Sequence, residues 1–221
     1  MVERIQFLSR PRTKTSPSTV LMIGNPGVGK STLLNGLIGF VKFKSGTSIG
    51  NGLTTQLDKF TAQDGNCYID TPGLDDLENI QRAASEIEKA LKQGGDYRVF
   101  FVVTLESGRI RSKDKSTMKL VLEAAREIKN SFSIIVNKVP KPFHERLKKS
   151  PAEMSDLRAK LNANLPEPTE RIFLHERQEA IDDVDDQMPA LSDEFLRFIK
   201  EGPQILVTQD NVQQIQWDQF E

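Results

Sequence analysis

One short stretch constrains this chain more than any other. Gly24-Asn25-Pro26-Gly27-Val28-Gly29-Lys30-Ser31 fits G-x-x-x-x-G-K-S/T, the pattern of a phosphate-binding loop. Its flanks are those the pattern requires. The apolar run Val20-Leu21-Met22-Ile23 before it reads as a buried strand, and Ser31-Thr32-Leu33-Leu34 after it opens a helix. Three glycines let consecutive backbone N–H groups wrap an anion with no side chain in the way. The positive end of the following helix points at the same place. The residues from Gly24 through Ser31 to Thr32 are therefore the candidate nucleotide-binding loop. Within it Lys30 is placed to neutralise the β- and γ-phosphates, and the Ser31 hydroxyl to ligate Mg²⁺.

Composition bounds the rest. A chain of 221 residues accommodates one domain of ordinary size with extra terminal segments. Lysine and arginine total 30 against 31 aspartate and glutamate, a net charge of −1, so general attraction to nucleic acid is not expected. The single cysteine, Cys67, excludes an intrachain disulfide and suits a reducing compartment. No apolar run is long enough to span a membrane, and the first residues have no signal-peptide pattern. The expectation is a cytoplasmic protein with no integral membrane segment and no nucleic-acid partner.

Along the chain, residues 1–17 form a basic lead-in rich in Pro and Ser, expected to be flexible. After the first helix, the polar loop from Lys42 to Gly52 is too poor in apolar residues to pack and has the composition of a switch segment. It leads into Leu53-Thr54-Thr55, where one hydroxyl is placed to complete a Mg²⁺ shell and sense a γ-phosphate. Spacing favours Thr54 slightly and leaves Thr55 open. Residues 57–61 and 67–70 read as a hairpin turned at Asp64-Gly65. It ends in Asp70-Thr71-Pro72-Gly73, where Asp70 is placed to hold Mg²⁺ through water and Gly73 to offer its N–H to the γ-phosphate.

A helix is expected from Asp75 to Lys92, with Leu77, Ile80, Ala84, Ile87 and Leu91 on one stripe. Arg98 to Thr104 reads as a central buried strand, residues 106–112 as a loop, and the stretch with Met118, Val121, Leu122, Ala125 and Ile128 as a helix. Phe132-Ser133-Ile134-Ile135-Val136 is the next strand, tipped by Asn137-Lys138-Val139-Pro140. Ser150-Pro151-Ala152-Glu153 is a capping box starting a further helix. Arg171-Ile172-Phe173-Leu174 reads as a short strand, Asp182 to Asp186 as a solvated acidic loop, and Leu191 to Ile199 as a last helix. Residues 202–221 are set apart as a Gln-rich C-terminal tail, free to dock back on the domain or on a partner, leaving 18–201 as the domain. His144 and His175 read as lone histidines in polar surroundings, without a role. Alternating strands and helices imply an α/β fold, a mostly parallel sheet with helices on both faces.

From about Thr19 to Lys138 the chain resembles the G domains of the translation-factor-like GTPase class. Within that class it looks most like the avirulence-induced-gene (AIG) type, related to immunity-associated GTPases, chloroplast-envelope import GTPases and septins. The carriers are the phosphate loop, Thr54-Thr55, Asp70-Thr71-Pro72-Gly73-Leu74, and the stretch from Val99 to Val103 through Arg109, Lys113, Asp114 and Lys115. The resemblance implies a three-layer P-loop G domain, GTP/GDP and Mg²⁺ as ligands, low turnover, nucleotide-dependent homodimers and a protein effector. Two departures stand out. GTPases read guanine with Asn-Lys-x-Asp; here Asn137 and Lys138 remain to bind and stack the base, but Pro140 replaces the aspartate. Some GTPases orient the attacking water with a Gln at the position of Leu74, which cannot do so. Slow hydrolysis is the expectation, with Arg109 or Arg111 either a finger across a dimer or a solvated loop residue. The last base-contacting loop is expected near His175-Glu176-Arg177. The alternative reading is a degenerate G domain acting as a non-hydrolysing interaction scaffold.

Overall fold

A computed structural model of the chain describes residues 17–46, 54, 56–74, 80–181 and 184–219. The basic lead-in up to residue 16, residues 47–53, Thr55, residues 75–79, the Asp182-Asp183 pair and residues 220–221 lie outside these. The elements in chain order are β1 (Thr19–Ile23), α1 (Lys30–Ile38), β2 (Asp58–Thr61), β3 (Cys67–Asp70), α2 (Ile80–Leu91), β4 (Gly95–Glu106) and β5 (Arg109–Ile110). They continue with α3 (Ser112–Ala124), β6 (Phe132–Val139), α4 (Lys141–Lys149), α5 (Pro151–Asn162), β7 (Ile172–Glu176), α6 (Asp193–Lys200) and β8 (Ile205–Val207).

The sheet runs in the order β2-β3-β1-β4-β6-β7. Neighbours from β3 to β7 pair in parallel, β2 joins the edge antiparallel through its hairpin, and β5 and β8 add antiparallel to the two ends of β4. Period-two alternation feeds two cores. Leu21, Ile23, Phe101 and Val103 face one side with the apolar stripes of α2, α3 and α5; Val20, Met22, Phe100 and Val102 face the other with Leu33, Leu34, Phe195 and Ile199. That is why β1 and β4 read as continuous apolar runs: both of their faces are covered. This is the expected α/β architecture, a mostly parallel sheet between helical layers.

Several local expectations are corrected. The loop after α1 does pack: Phe43 is buried at 1% exposure. The buried Asn35 side chain holds it, accepting from the N–H of Lys42 (2.9 Å) and Phe43 (2.8 Å) and donating to the Phe43 carbonyl (2.8 Å). The acidic loop is not simply solvated, because Asp186 Oδ1 accepts from the Ser45 N–H at 3.0 Å and its own N–H donates to the Ser45 carbonyl at 2.7 Å. The loop at 106–112 contains β5, folded back on β4 through Ser107 and Gly108, both at positive φ. Residues from Gly202, set apart above as a tail, carry β8 and bury Val207, Val212 and Ile215 in the first core.

Candidate functional site

The site forms at the carboxyl ends of β1, β3, β4, β6 and β7. Parallel strands there leave a crevice of loop backbone, the usual ligand position in such sheets. A Cβ on Gly24 would lie 2.2 Å from the Val102 carbonyl, so only glycine lets the chain leave β1 this close to β4. Gly27 and Gly29 take φ of 78° and 90°, the left-handed values that turn successive N–H groups to one side. Gly29 caps α1 with no side-chain hydrogen bond, leaving the first-turn amides open for an anion. Val28 is fully buried and anchors the loop, while Pro26 and Thr32 are half-buried beside it.

Lys30 is folded back on its own loop, its ammonium donating to the carbonyls of Gly24 (2.9 Å) and Asn25 (3.2 Å). Burial lowers its pKa, opposed by the charges of Asp70 and Asp114. The Asn25 side chain faces away from the crevice. Its amide donates to Asp114 Oδ1 and its oxygen accepts from the Thr117 hydroxyl, each at 2.8 Å, so it ties the loop to α3. Any contribution of Asn25 to a nucleotide therefore comes from its backbone. Asp114 and Thr117, both buried at 1% exposure, are site residues that sequence reasoning missed in this role.

Three candidate oxygen ligands come together beside Lys30. Asp70 Oδ2 accepts from the hydroxyls of Ser31 (2.6 Å) and Thr54 (3.0 Å), and those two hydroxyls are 3.4 Å apart. The second carboxylate oxygen, Asp70 Oδ1, is buried without a hydrogen-bond partner among the described residues. Burial raises the Asp70 pKa, with Lys30 and the two hydroxyls opposing the shift. An all-oxygen set with an orphaned carboxylate oxygen fits a hard divalent cation such as Mg²⁺. Spacing alone left Thr54 and Thr55 open; Thr54 reaches this cluster, and Thr55 lies outside the described residues. Gly73 approaches the phosphate loop so closely that a Cβ would sit 2.3 Å from Pro26 Cδ. Leu74 is fully buried in the first core.

The expected base end of the site is built by β6 and β7. Asn137 donates through Nδ2 to the Val28 carbonyl at 2.8 Å, bracing the strand tip on the phosphate loop. Its Oδ1 accepts from His175 Nδ1, also at 2.8 Å. Lys138 takes a left-handed φ of 56°, and its stem lies next to Gly29. Pro140 is the residue that caps α4. The two histidines are not lone: both are buried at 8% exposure, His144 lies 3.2 Å from a Glu176 oxygen, and the His175 ring, bonded to Asn137, packs on Phe195. Burial, followed by the His144 charge, lowers the His175 pKa. The pattern gave no sign of this, because each histidine is recognised only by partners distant in sequence. Arg111 pairs with Glu106 at 3.3 Å, and Arg109 is exposed in β5.

A family model described as 50S ribosome-binding GTPase matches residues 19–138, more than half of the chain and all of the site from β1 to the tip of β6. The chain belongs to that GTPase family. Curated relatives include the small ribosomal subunit biogenesis GTPase RsgA 2 of Lactiplantibacillus plantarum, 36% identical over 69 residues, or 29% of this chain and 20% of that protein. RsgA of Xanthomonas campestris is 39% identical over 64 residues, 27% of this chain and 18% of that protein. The aligned region thus spans about a fifth of those relatives. Among solved structures, an S. thermophilus NFeoB mutant bound to GMPPNP has a TM-score of 0.47 at 15% identity, over 84% of this chain and 60% of that one. Era, in complex with MgGDPNP and a fragment of 16S ribosomal RNA, has a TM-score of 0.43 at 19% identity, over 72% and 50%. The family match covers the GTPase domain generally and does not reach the AIG-type subdivision. No described helix of this GTPase domain is long and apolar enough to cross a membrane.

Proposed function

We propose that this GTPase domain is a Mg²⁺-dependent guanine-nucleotide switch that hydrolyses GTP slowly. The observation that carries the reading is the convergence of Ser31, Thr54 and the half-unsatisfied Asp70 beside Lys30 on the phosphate loop. Mg²⁺ held there would neutralise phosphate charge and fix the β- and γ-phosphoryl oxygens. Lys30 exchanges the Gly24 and Asn25 carbonyls for phosphate oxygens, which better compensate a buried ammonium. The loop amides from Gly27 to Ser31 and the Gly73 N–H add further donors. Asn137 and Lys138 bound the base. Thr54 comes from the connection between α1 and β2, so loss of the γ-phosphate releases that connection, which is the switching step.

Slow turnover follows from Leu74, whose buried side chain has no group to orient a water. The AIG-type resemblance enters as the source of one further expectation, self-association in the GTP state. Leu74 and Pro140 together also favour a second reading, a degenerate G domain serving as a non-hydrolysing scaffold for a protein effector. Era's RNA complex belongs to Era, and a net charge of −1 gives this chain no general pull on nucleic acid.

Titration of the nucleotide-free protein with a fluorescent GTP analogue and Mg²⁺ tests the reading, with unlabelled GTP, GDP and ATP as competitors. Micromolar or tighter binding displaced by GTP and GDP supports the switch. Absence of binding moves the assignment to the scaffold. A single-turnover assay on the bound complex then separates slow hydrolysis from none.

A further inference from the structure

Guanine and adenine differ along one edge. Guanine presents two donors there, N1–H and the N2 amine, where adenine presents an N1 acceptor, so a site that prefers guanine needs an acceptor and a carboxylate is the strongest available. Pro140 leaves β6 without one. We propose that Glu176, at the end of β7, is the guanine-reading acceptor of this domain. The proposal rests on the nucleotide reading above and adds the residue that sets base specificity.

Four observations bring Glu176 to that place. A register shift in the β6–β7 pairing sets Glu176 opposite Val139, the residue immediately before Pro140, and the Arg177 N–H donates to the Val139 carbonyl at 2.9 Å. The preceding residue, His175, is bonded to Asn137, which is bonded to the Val28 carbonyl, so the end of β7 is tied through one side chain to the phosphate loop. The Glu176 carboxylate lies 3.2 Å from His144 on the first turn of α4, the helix that Pro140 opens. Its side chain keeps 37% exposure, so it remains accessible to a ligand. The acceptor is thus moved from the cap of α4 to the flank of its first turn, where His144 restricts the carboxylate. Lys138, at the tip of β6, lies with its stem against Gly29.

Glu145 is the alternative carboxylate nearby, since oxygens of Glu145 and Glu176 and a nitrogen of His144 all lie within 4.8 Å of one another. It serves as the control. The experiment measures displacement of a fluorescent GDP analogue by GDP, ADP and XDP, with Mg²⁺, for wild type, Glu176→Gln and Glu145→Gln. Xanthine carries a carbonyl where guanine carries its N2 amine, so an amide at 176 donates to xanthine and repels guanine's donor. Wild type is expected to prefer GDP over ADP. Glu176→Gln is expected to lower the GDP-to-ADP preference by about tenfold or more and to raise the affinity for XDP, with ADP affinity retained as evidence of a folded phosphate site. Glu145→Gln is expected to match wild type, and adding Pro140→Asp to Glu176→Gln to restore the guanine preference. Unchanged ratios in Glu176→Gln overturn the proposal while leaving the switch intact, as does a wild type that binds GDP and ADP equally. A wild type that binds no nucleotide overturns both.

Discussion

Lys30, Asp70 and Asp114 are all buried charges of the phosphate site, and burial disfavours the charged form of Lys30 and of Asp70. For Asp70, a folded pKa above its unfolded one means that the folded state holds the proton more tightly. Its contribution is therefore favourable at acid pH and is lost as pH rises through the folded value. Asp70→Asn should raise the Tm of nucleotide-free protein at neutral pH, a gain that vanishes on acidification. The same variant should lose the Mg²⁺ dependence of GTP binding. A lower Tm with intact Mg²⁺ dependence contradicts this. Lys30→Ala should abolish nucleotide binding, and unchanged affinity in the same titration removes the phosphate-loop assignment. These residues were legible in the sequence because the loop is a local pattern with its own backbone requirements. Asp114, Thr117 and His175 were not, because their roles are set by hydrogen bonds to residues 38–92 positions away.

At the scale of elements, amphipathic helices and buried strands declared themselves through periodicity. α6, for example, carries its Ser192 cap, with the Phe195 N–H donating to the Ser192 hydroxyl at 3.1 Å. Short or polar elements did not. β5 is only two residues long, and β8 lies in a Gln-rich stretch whose partner strand begins more than a hundred residues earlier. α4 is rich in lysine and arginine and opens with a proline, so its buried residues, His144 and Leu147, leave little periodic signal. The root of the switch connection was misread for a related reason, since one buried asparagine rather than an apolar stripe holds it. Asn35→Ala should leave the Lys42 and Phe43 backbone groups without their partners, at about 1–3 kcal/mol. The result is measurable as a lower denaturant midpoint and a faster hydrogen exchange at Phe43. Unchanged exchange at Phe43 contradicts the pinning role.

For the molecule as a whole, alternation of strand and helix was enough to give the layered α/β architecture, because both faces of a parallel sheet must be covered. The fate of the C-terminal segment was not deducible, since composition alone does not say which edge a short strand joins. There, β8 extends the N-terminal end of β4, Thr208 bonds Glu127, and Val207, Val212 and Ile215 are buried. Ending the chain after Gly202 removes three buried aliphatic side chains, worth about 1.5–3 kcal/mol each, against a total stability of about 5–15 kcal/mol. The shortened protein should melt many degrees lower or fail to fold, and a Tm within a degree or two of wild type contradicts that packing.

We infer that Ser31, Thr54 and Asp70 form one Mg²⁺ site that distinguishes GTP from GDP. It is tested most directly by calorimetric titration of GTP and GDP into nucleotide-free wild type, Ser31→Ala and Thr54→Ala, with Mg²⁺ and with a chelator. Wild type should gain more affinity from Mg²⁺ for GTP than for GDP. Thr54→Ala should erase that difference while keeping Mg²⁺-dependent GDP binding, and Ser31→Ala should lose the Mg²⁺ effect for both. Equal Mg²⁺ effects on GTP and GDP in all three proteins would contradict the account.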